Sequence, residues 1–121
     1  MENLTPQEEV AMLIVWRLEK CFVKDILGQY PEPRPPYTTL ASTVKNLERK
    51  GYLESRRYGN TYQYVPVVCE QEYKKQFMSG FVKDFFSNSY SELVTFFARE
   101  QRISAHELKK IIQIIEKQEK P

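Results

Sequence analysis

The side chains with the clearest chemistry lie in the run Tyr37-Thr-Thr-Leu-Ala-Ser-Thr-Val-Lys-Asn-Leu-Glu-Arg-Lys-Gly51. They are short hydroxyls, one amide and cations: Thr38, Thr39, Ser42, Thr43, Lys45, Asn46, Arg49 and Lys50. Groups of this kind bind rather than transform, because hydroxyls and amides pair with base edges while ammonium and guanidinium groups hold phosphates. At 3.6 residues per turn, Leu40, Val44 and Leu47 share one stripe, and Thr38, Ser42, Lys45, Asn46 and Arg49 take the opposite side. A merely solvated helix face would carry the same pattern, so the meaning of the run depends on its neighbours.

Immediately downstream, residues 53–58 and 61–65 are rich in β-formers, and Gly59-Asn60 between them suits a turn that needs positive φ. Gly51 stands where a helix C-terminal cap belongs, after Arg49 and Lys50 in the last turn. Five cations, Lys45, Arg49, Lys50, Arg56 and Arg57, face two carboxylates, Glu48 and Glu54, although the whole chain carries only +2. Positive charge is therefore local, as expected where one surface meets a polyanion. On this reading the helix from Thr38 to Lys50 enters the major groove of double-stranded DNA. Thr38, Thr39, Ser42 and Asn46 would lie nearest the bases, with Lys45, Arg49 and Lys50 nearer phosphate. Arg56, Arg57 and Asn60 on the hairpin would touch backbone or minor groove. Hydroxyls discriminate bases less sharply than paired arginine or asparagine contacts, so specificity should lean also on half-site spacing and DNA shape. Thr39 has a second reading, as a helix cap.

Other chemistries find little support. The one histidine, His106, sits inside a capping pattern, so no histidine triad or histidine base can be assembled. The glycines at 28, 51, 59 and 80 are isolated and make no phosphate-cradling loop. Cys21 and Cys69 belong to no C-x-x-C pair and read as reduced thiols, with no metal or cofactor expected. The chain is expected not to be an enzyme. No apolar run approaches the length that spans a bilayer, and the start of the chain lacks the pattern of a secretion signal, so the cytoplasm is the expected compartment.

The elements that must position the run can be read from caps and periodicity. Thr5-Pro6-Gln7-Glu8 is a capping box with proline at the first helical position, opening a helix to about Lys20 whose inward stripe is read as Val10, Leu13 and Ile14, with Arg17 or Leu18. A shorter helix is expected over residues 23–29, with Val23, Ile26 and Leu27 inward. Pro31, Pro33, Pro35 and Pro36 then stop it and make a stiff connection. After Pro66 the pattern is helical only. Tyr73, Phe77, Phe81 and Phe85 recur at i+4, Ser89-Tyr-Ser-Glu92 opens a helix with Leu93, Phe96 and Phe97, and Ser104-Ala-His-Glu107 opens one with Leu108, Ile111, Ile112 and Ile115. Three helices in so short a segment bury too little surface alone, and a second copy packed about a two-fold axis is the economical cover. The alternative is a fold back onto the first half of the chain.

The expected fold is thus mainly α with a small β-hairpin: a winged helix-turn-helix domain over residues 1–68 and a helical dimerisation domain over residues 69–121. The series resembles the penicillinase repressor family, the BlaI/MecI group of winged-helix transcriptional repressors. The resemblance rests on Leu4-Thr5-Pro6-Gln7-Glu8 leading to Trp16, on Tyr37-Thr38-Thr39 with Leu47-Glu-Arg-Lys-Gly-Tyr-Leu53, and on the hairpin closing at Tyr64-Val65-Pro66. It implies a homodimer that represses by occupying a two-fold-symmetric operator of a β-lactamase or other cell-envelope or antibiotic-response operon, with the C-terminal helices as interface. It also implies release by proteolysis under a membrane sensor-protease pathway, without membrane insertion of the repressor. The matching scissile position is Phe96-Phe97, where the best-known members carry an asparagine before the phenylalanine. A copper-responsive branch has a cysteine-rich C-terminal site, which residues 113–121 do not contain.

Two rival classes remain open to the residues alone. One is a winged-helix protein-interaction module without operator binding. The other is a peripheral membrane protein using the aromatic helix from Tyr73 to Phe86, whose polar side carries only Lys74, Lys75 and Lys83 as cations.

Overall fold

The computed structural model describes residues 2–119; Met1, Lys120 and Pro121, the outer ends of the expected domains, lie outside the described residues. The element order is α1 (Pro6–Leu18), α2 (Val23–Gln29), α3 (Tyr37–Arg49), β1 (Leu53–Tyr58), β2 (Thr61–Pro66), α4 (Glu70–Phe86), α5 (Tyr90–Arg99) and α6 (Ala105–Glu119). Two compact units divide the chain, one ending at Lys74 and the other starting at Lys75, so α4 begins in the first and continues into the second.

In the first unit α1 opens with the reciprocal capping box expected: the Thr5 amide donates to Glu8 Oε1 at 2.8 Å and the Glu8 amide to Thr5 Oγ1 at 3.2 Å. The helix stops at Leu18, short of Lys20, because Glu19 takes a left-handed φ of 70°. Its inward face also differs from the expected stripe. Ala11, Met12, Ile14 and Val15 are buried, while Leu13 is exposed. Residues 10–16 are apolar all round, so periodicity could not choose a face and packing did. In α3 the periodicity was unambiguous, and Leu40, Val44 and Leu47 are all buried.

β1 and β2 pair antiparallel from Leu53↔Pro66 to Tyr58↔Thr61. Gly59 has φ 58° and Asn60 no positive φ, so only the first of the two turn residues needs the left-handed region, the position at which a type II′ hairpin places glycine. The free edge of β2 is capped by one residue from the α1–α2 connection: the Cys21 amide donates to the Tyr64 carbonyl at 3.0 Å and the Tyr64 amide to the Cys21 carbonyl at 2.7 Å. This short bridge ties the hairpin to the helices. Burial, with Asp25 nearby, pushes the Cys21 thiol up to about 11, so it stays protonated.

The segment after the hairpin is tied back as well. The Val67 amide donates to the Tyr52 carbonyl at 2.8 Å, and the Trp16 indole N–H to the Val68 carbonyl at 2.9 Å. Tyr73, expected on the dimer face, belongs instead to this first unit. Its ring lies 5.4 Å from Trp16 and 6.0 Å from Tyr52, and its hydroxyl donates to Glu9 Oε2 at 2.7 Å. The i+4 aromatic series is real, but α4 crosses from one unit to the other and the series is shared between them. The units accordingly divide later than residue 68.

The second unit holds α5, α6 and the rest of α4. Ser89 and Ser104 cap α5 and α6, accepting from the amides of Glu92 and Glu107 at 3.1 and 3.0 Å, and Glu107 returns a bond from the Ser104 amide at 3.1 Å. Val82 and Leu93 are its buried hydrophobics among the described residues, and Phe81 packs on Phe85 and Phe86 at 5.0 and 5.9 Å between ring centroids.

Candidate nucleic-acid interface

α3 presents the expected face. Thr38, Thr39, Ser42, Lys45, Asn46 and Arg49 are all exposed and fall within about 120° of one another around the helix at 100° per residue. Thirteen residues make α3 about 20 Å long, enough to cross a major groove. Thr43 stands on the flank of this stripe and its hydroxyl donates to the Thr39 carbonyl at 3.1 Å, a bond internal to the helix. No side chain caps the start of α3, since the N-cap is Pro36. Thr39 is an exposed residue of the first turn, and its hydroxyl is not used as a cap.

Lys50, expected near phosphate, turns the other way. Its ammonium lies 2.6 Å from Glu8 Oε1 and donates to the Asn3 carbonyl at 2.9 Å, and both side chains of the ion pair are nearly enclosed. The reason is positional: at the C-cap of α3 the side chain leaves the polar stripe and reaches the N-terminus of α1, where Glu8 waits. Burial alone would raise the Glu8 carboxyl, but the Lys50 ammonium and the hydrogen bonds with Thr5 outweigh it and hold the carboxyl below the usual carboxylate range. Lys50 therefore fixes α3 against α1 and is not available to DNA. Glu8 was legible as a capping residue, but its second bond joins residues 42 apart, which local spacing could not reveal.

The strand register separates the two wing arginines. Ser55 donates from Oγ to Glu48 Oε2 at 2.5 Å, which turns the Ser55 face of β1 toward α3. Side chains alternate along a strand, so Arg57 shares that face with Ser55, paired with Tyr62, and Arg56 takes the other, paired with Gln63. Arg57 Nε donates to the Gly59 carbonyl at 3.0 Å, which steadies the guanidinium beside the turn. Arg56 leans on Glu54 at 3.8 Å. Arg49 has a comparable exposed partner, Glu2 at 3.8 Å, whereas Lys45 has no carboxylate partner among the described residues. Exposed pairs of this kind are weak and exchange readily for a phosphate. Asn60 is exposed at the tip.

One feature of the first unit lay outside the expected set. Phe22, Lys24, Tyr37 and Thr61 line an open cleft of about 200 Å³ where the starts of α2 and α3 meet the hairpin. These residues are distant in sequence and share no period.

Three helices, a two-stranded wing and a polar, locally cationic α3 define a winged-helix DNA-binding protein. Residues 4–117 match the penicillinase repressor family model, and the chain belongs to that family of transcriptional repressors. It is 20% identical over 116 residues to the methicillin resistance regulatory protein MecI of Mammaliicoccus sciuri, covering 95% of this chain and 94% of that protein. It is 19% identical over 115 residues to the penicillinase repressor of Bacillus licheniformis, covering 94% and 90%. A MecI of Staphylococcus aureus (strain N315) is 19% identical over 116 residues, covering 95% and 94%.

Proposed function

We propose that this chain represses transcription as a homodimer on a two-fold-symmetric DNA operator, reading bases with α3 and phosphates with the wing. The observation that carries this reading is the single exposed stripe of Thr38, Thr39, Ser42, Lys45, Asn46 and Arg49 above a fully buried Leu40, Val44 and Leu47. Thr38, Thr39, Ser42 and Asn46 serve as base readers, Lys45, Arg49 and Arg57 as phosphate contacts, and Asn60 touches the backbone at the wing tip. Dimerisation falls to the second unit, whose Phe77, Phe85, Phe97, Ile111, Ile112 and Ile115 are exposed and apolar, with Phe81, Leu93 and Leu108 beneath them.

The regulated genes are those of a β-lactamase or another cell-envelope or antibiotic response, by analogy with relatives whose names refer to methicillin resistance and penicillinase. Release by a membrane sensor-protease pathway in the cytoplasm belongs to the same reading. Its scissile bond, between Phe96 and Phe97, lies inside α5, with Phe96 edge-on to Phe86 at 5.8 Å between centroids. That turn of helix must unwind before a protease can hold it extended.

The test is the affinity for duplex DNA as a function of salt, measured beside the sedimentation of the free protein. A dimer whose affinity falls steeply with salt, as several phosphate contacts require, supports the reading. Duplex binding that is absent or indifferent to salt rejects it in favour of a protein-interaction module. Among the described residues no helix is long and apolar enough to cross a membrane.

A further inference from the structure

We propose that the cleft lined by Phe22, Lys24, Tyr37 and Thr61 is a seat for one backbone phosphate of the bound duplex, with Lys24 supplying the charge and the Tyr37 and Thr61 hydroxyls donating to its oxygens. The inference rests on the DNA-binding reading and extends it to residues on α2 and at the first position of α3. Its basis is one cleft lined by residues of three elements, each of which carries a donor. Lys24 comes from the first turn of α2, Tyr37 starts α3 and Thr61 starts β2, and the about 200 Å³ they enclose with Phe22 is ample for a phosphate group.

Charge and freedom point the same way. Lys24 is exposed and has no carboxylate partner among the described residues, unlike Arg49, Arg56 and Lys50. Tyr37 is 51% exposed, so its phenol is not part of the core. The cleft has a reason to keep its shape. Phe22 packs edge-on against Tyr58 at 6.0 Å between centroids, and the Phe22 amide donates to Asp25 Oδ2 at 2.8 Å, which together hold the start of α2 to the wing. Asp25 is the nearby acid on this element; its Oδ2 accepts from the Phe22 amide at the start of α2, and the Lys24 ammonium offsets its charge. The occupant is a phosphate of the duplex because the cleft flanks the start of the reading helix on one side and the wing on the other. In the DNA-binding reading both elements lie against the duplex, α3 in the groove and the wing on the backbone.

The experiment uses the full-length chain and an operator selected from a random-sequence duplex library. Lys24→Ala should weaken binding to selected and random duplexes alike and flatten the dependence of log affinity on log salt by about 0.9 for each protomer bound. Tyr37→Phe should weaken binding several-fold and leave the slope unchanged, because it removes a donor and no charge. Replacing single backbone phosphates by neutral methylphosphonates should find one position per half-site that costs the parent protein affinity and costs Lys24→Ala nothing further. If Lys24→Ala leaves affinity and slope untouched while Arg57→Ala flattens the slope, the cleft holds no phosphate and the operator reading stands. If the parent protein binds no duplex in a salt-dependent way, both fall. An equal melting temperature for parent and variants separates these outcomes from misfolding.

Discussion

The two units of this chain treat apolar surface in opposite ways. In the first, thirteen buried residues from Ala11 to Tyr64 close over one another in a single cluster, and the large apolar or aromatic residues left exposed are Leu13, Tyr37, Tyr58, Tyr62 and Val67. In the second, Val82 and Leu93 are the buried hydrophobics among the described residues, while Phe77, Phe85, Phe96, Phe97, Ile111, Ile112, Ile114 and Ile115 keep more than a third of their surface in solvent. Three helices and a hairpin can enclose a core because the hairpin, the Cys21 bridge and the tail from Val67 to Tyr73 shut its open sides. Fewer than fifty residues of helix alone cannot. The first unit is completed by its own chain, and the second leaves much of its apolar surface in solvent.

The largest expected effect would break the first unit. Lys50→Met leaves Glu8 buried without its cation and should cost about 3–5 kcal/mol in urea unfolding of that unit. Its pH signature follows from sign. The Glu8 carboxyl is held below its ordinary value, so the stability it contributes is complete above the usual glutamate range and is lost as pH falls through the lower folded value. The gap between parent and Lys50→Met should therefore narrow on acidification below about pH 4. A gap that is constant with pH would show that the ion pair contributes little.

Next comes the second unit. Ile112→Asp puts a carboxylate on an exposed apolar face without disturbing a buried residue, and a two-fold interface carries it twice. Sedimentation should move from dimer toward monomer by at least about tenfold in dissociation constant, or 1.4 kcal/mol. A dimer unchanged in strength would place the interface elsewhere and weaken the contrast between the units. Asn46→Ala, on the reading stripe, should reduce preference for selected over random duplexes by about 1–3 kcal/mol, and an equal loss on both would show that Asn46 reads no base. The smallest difference compares the two wing arginines. Arg57→Ala should flatten the salt slope by about 0.9 per protomer, and Arg56→Ala, on the opposite strand face, should hardly change it. Equal slopes for the two variants would mean that the wing presents its edge, not one face, to DNA.

Much of this was open to a reader of the chain because the signals were local. The capping boxes at Thr5 and Ser104, the single serine cap at Ser89, the proline block before α3, the Gly59-Asn60 turn and the Leu40, Val44 and Leu47 stripe each specify structure within a few residues. The family match over residues 4–117 agrees with the fold those signals imply. The errors share a cause. The inward face of α1, the fate of Lys50 and the allegiance of Tyr73 are all settled by partners far away in sequence: Glu8 meets Lys50 across 42 residues and Glu9 meets Tyr73 across 64.

By itself the sequence determined which segments become helices or strands, where the charge lies and that α3 has a polar face, because those properties depend on neighbours one to four residues apart. Only the tertiary structure decided which of the cations remain free for a phosphate. It buried Lys50 against Glu8, set the Ser55 and Arg57 face of β1 toward α3 and brought Lys24, Tyr37 and Thr61 to one cleft. A charge binds DNA only from the surface, and which charges reach the surface is fixed when distant elements pack and take their own partners first.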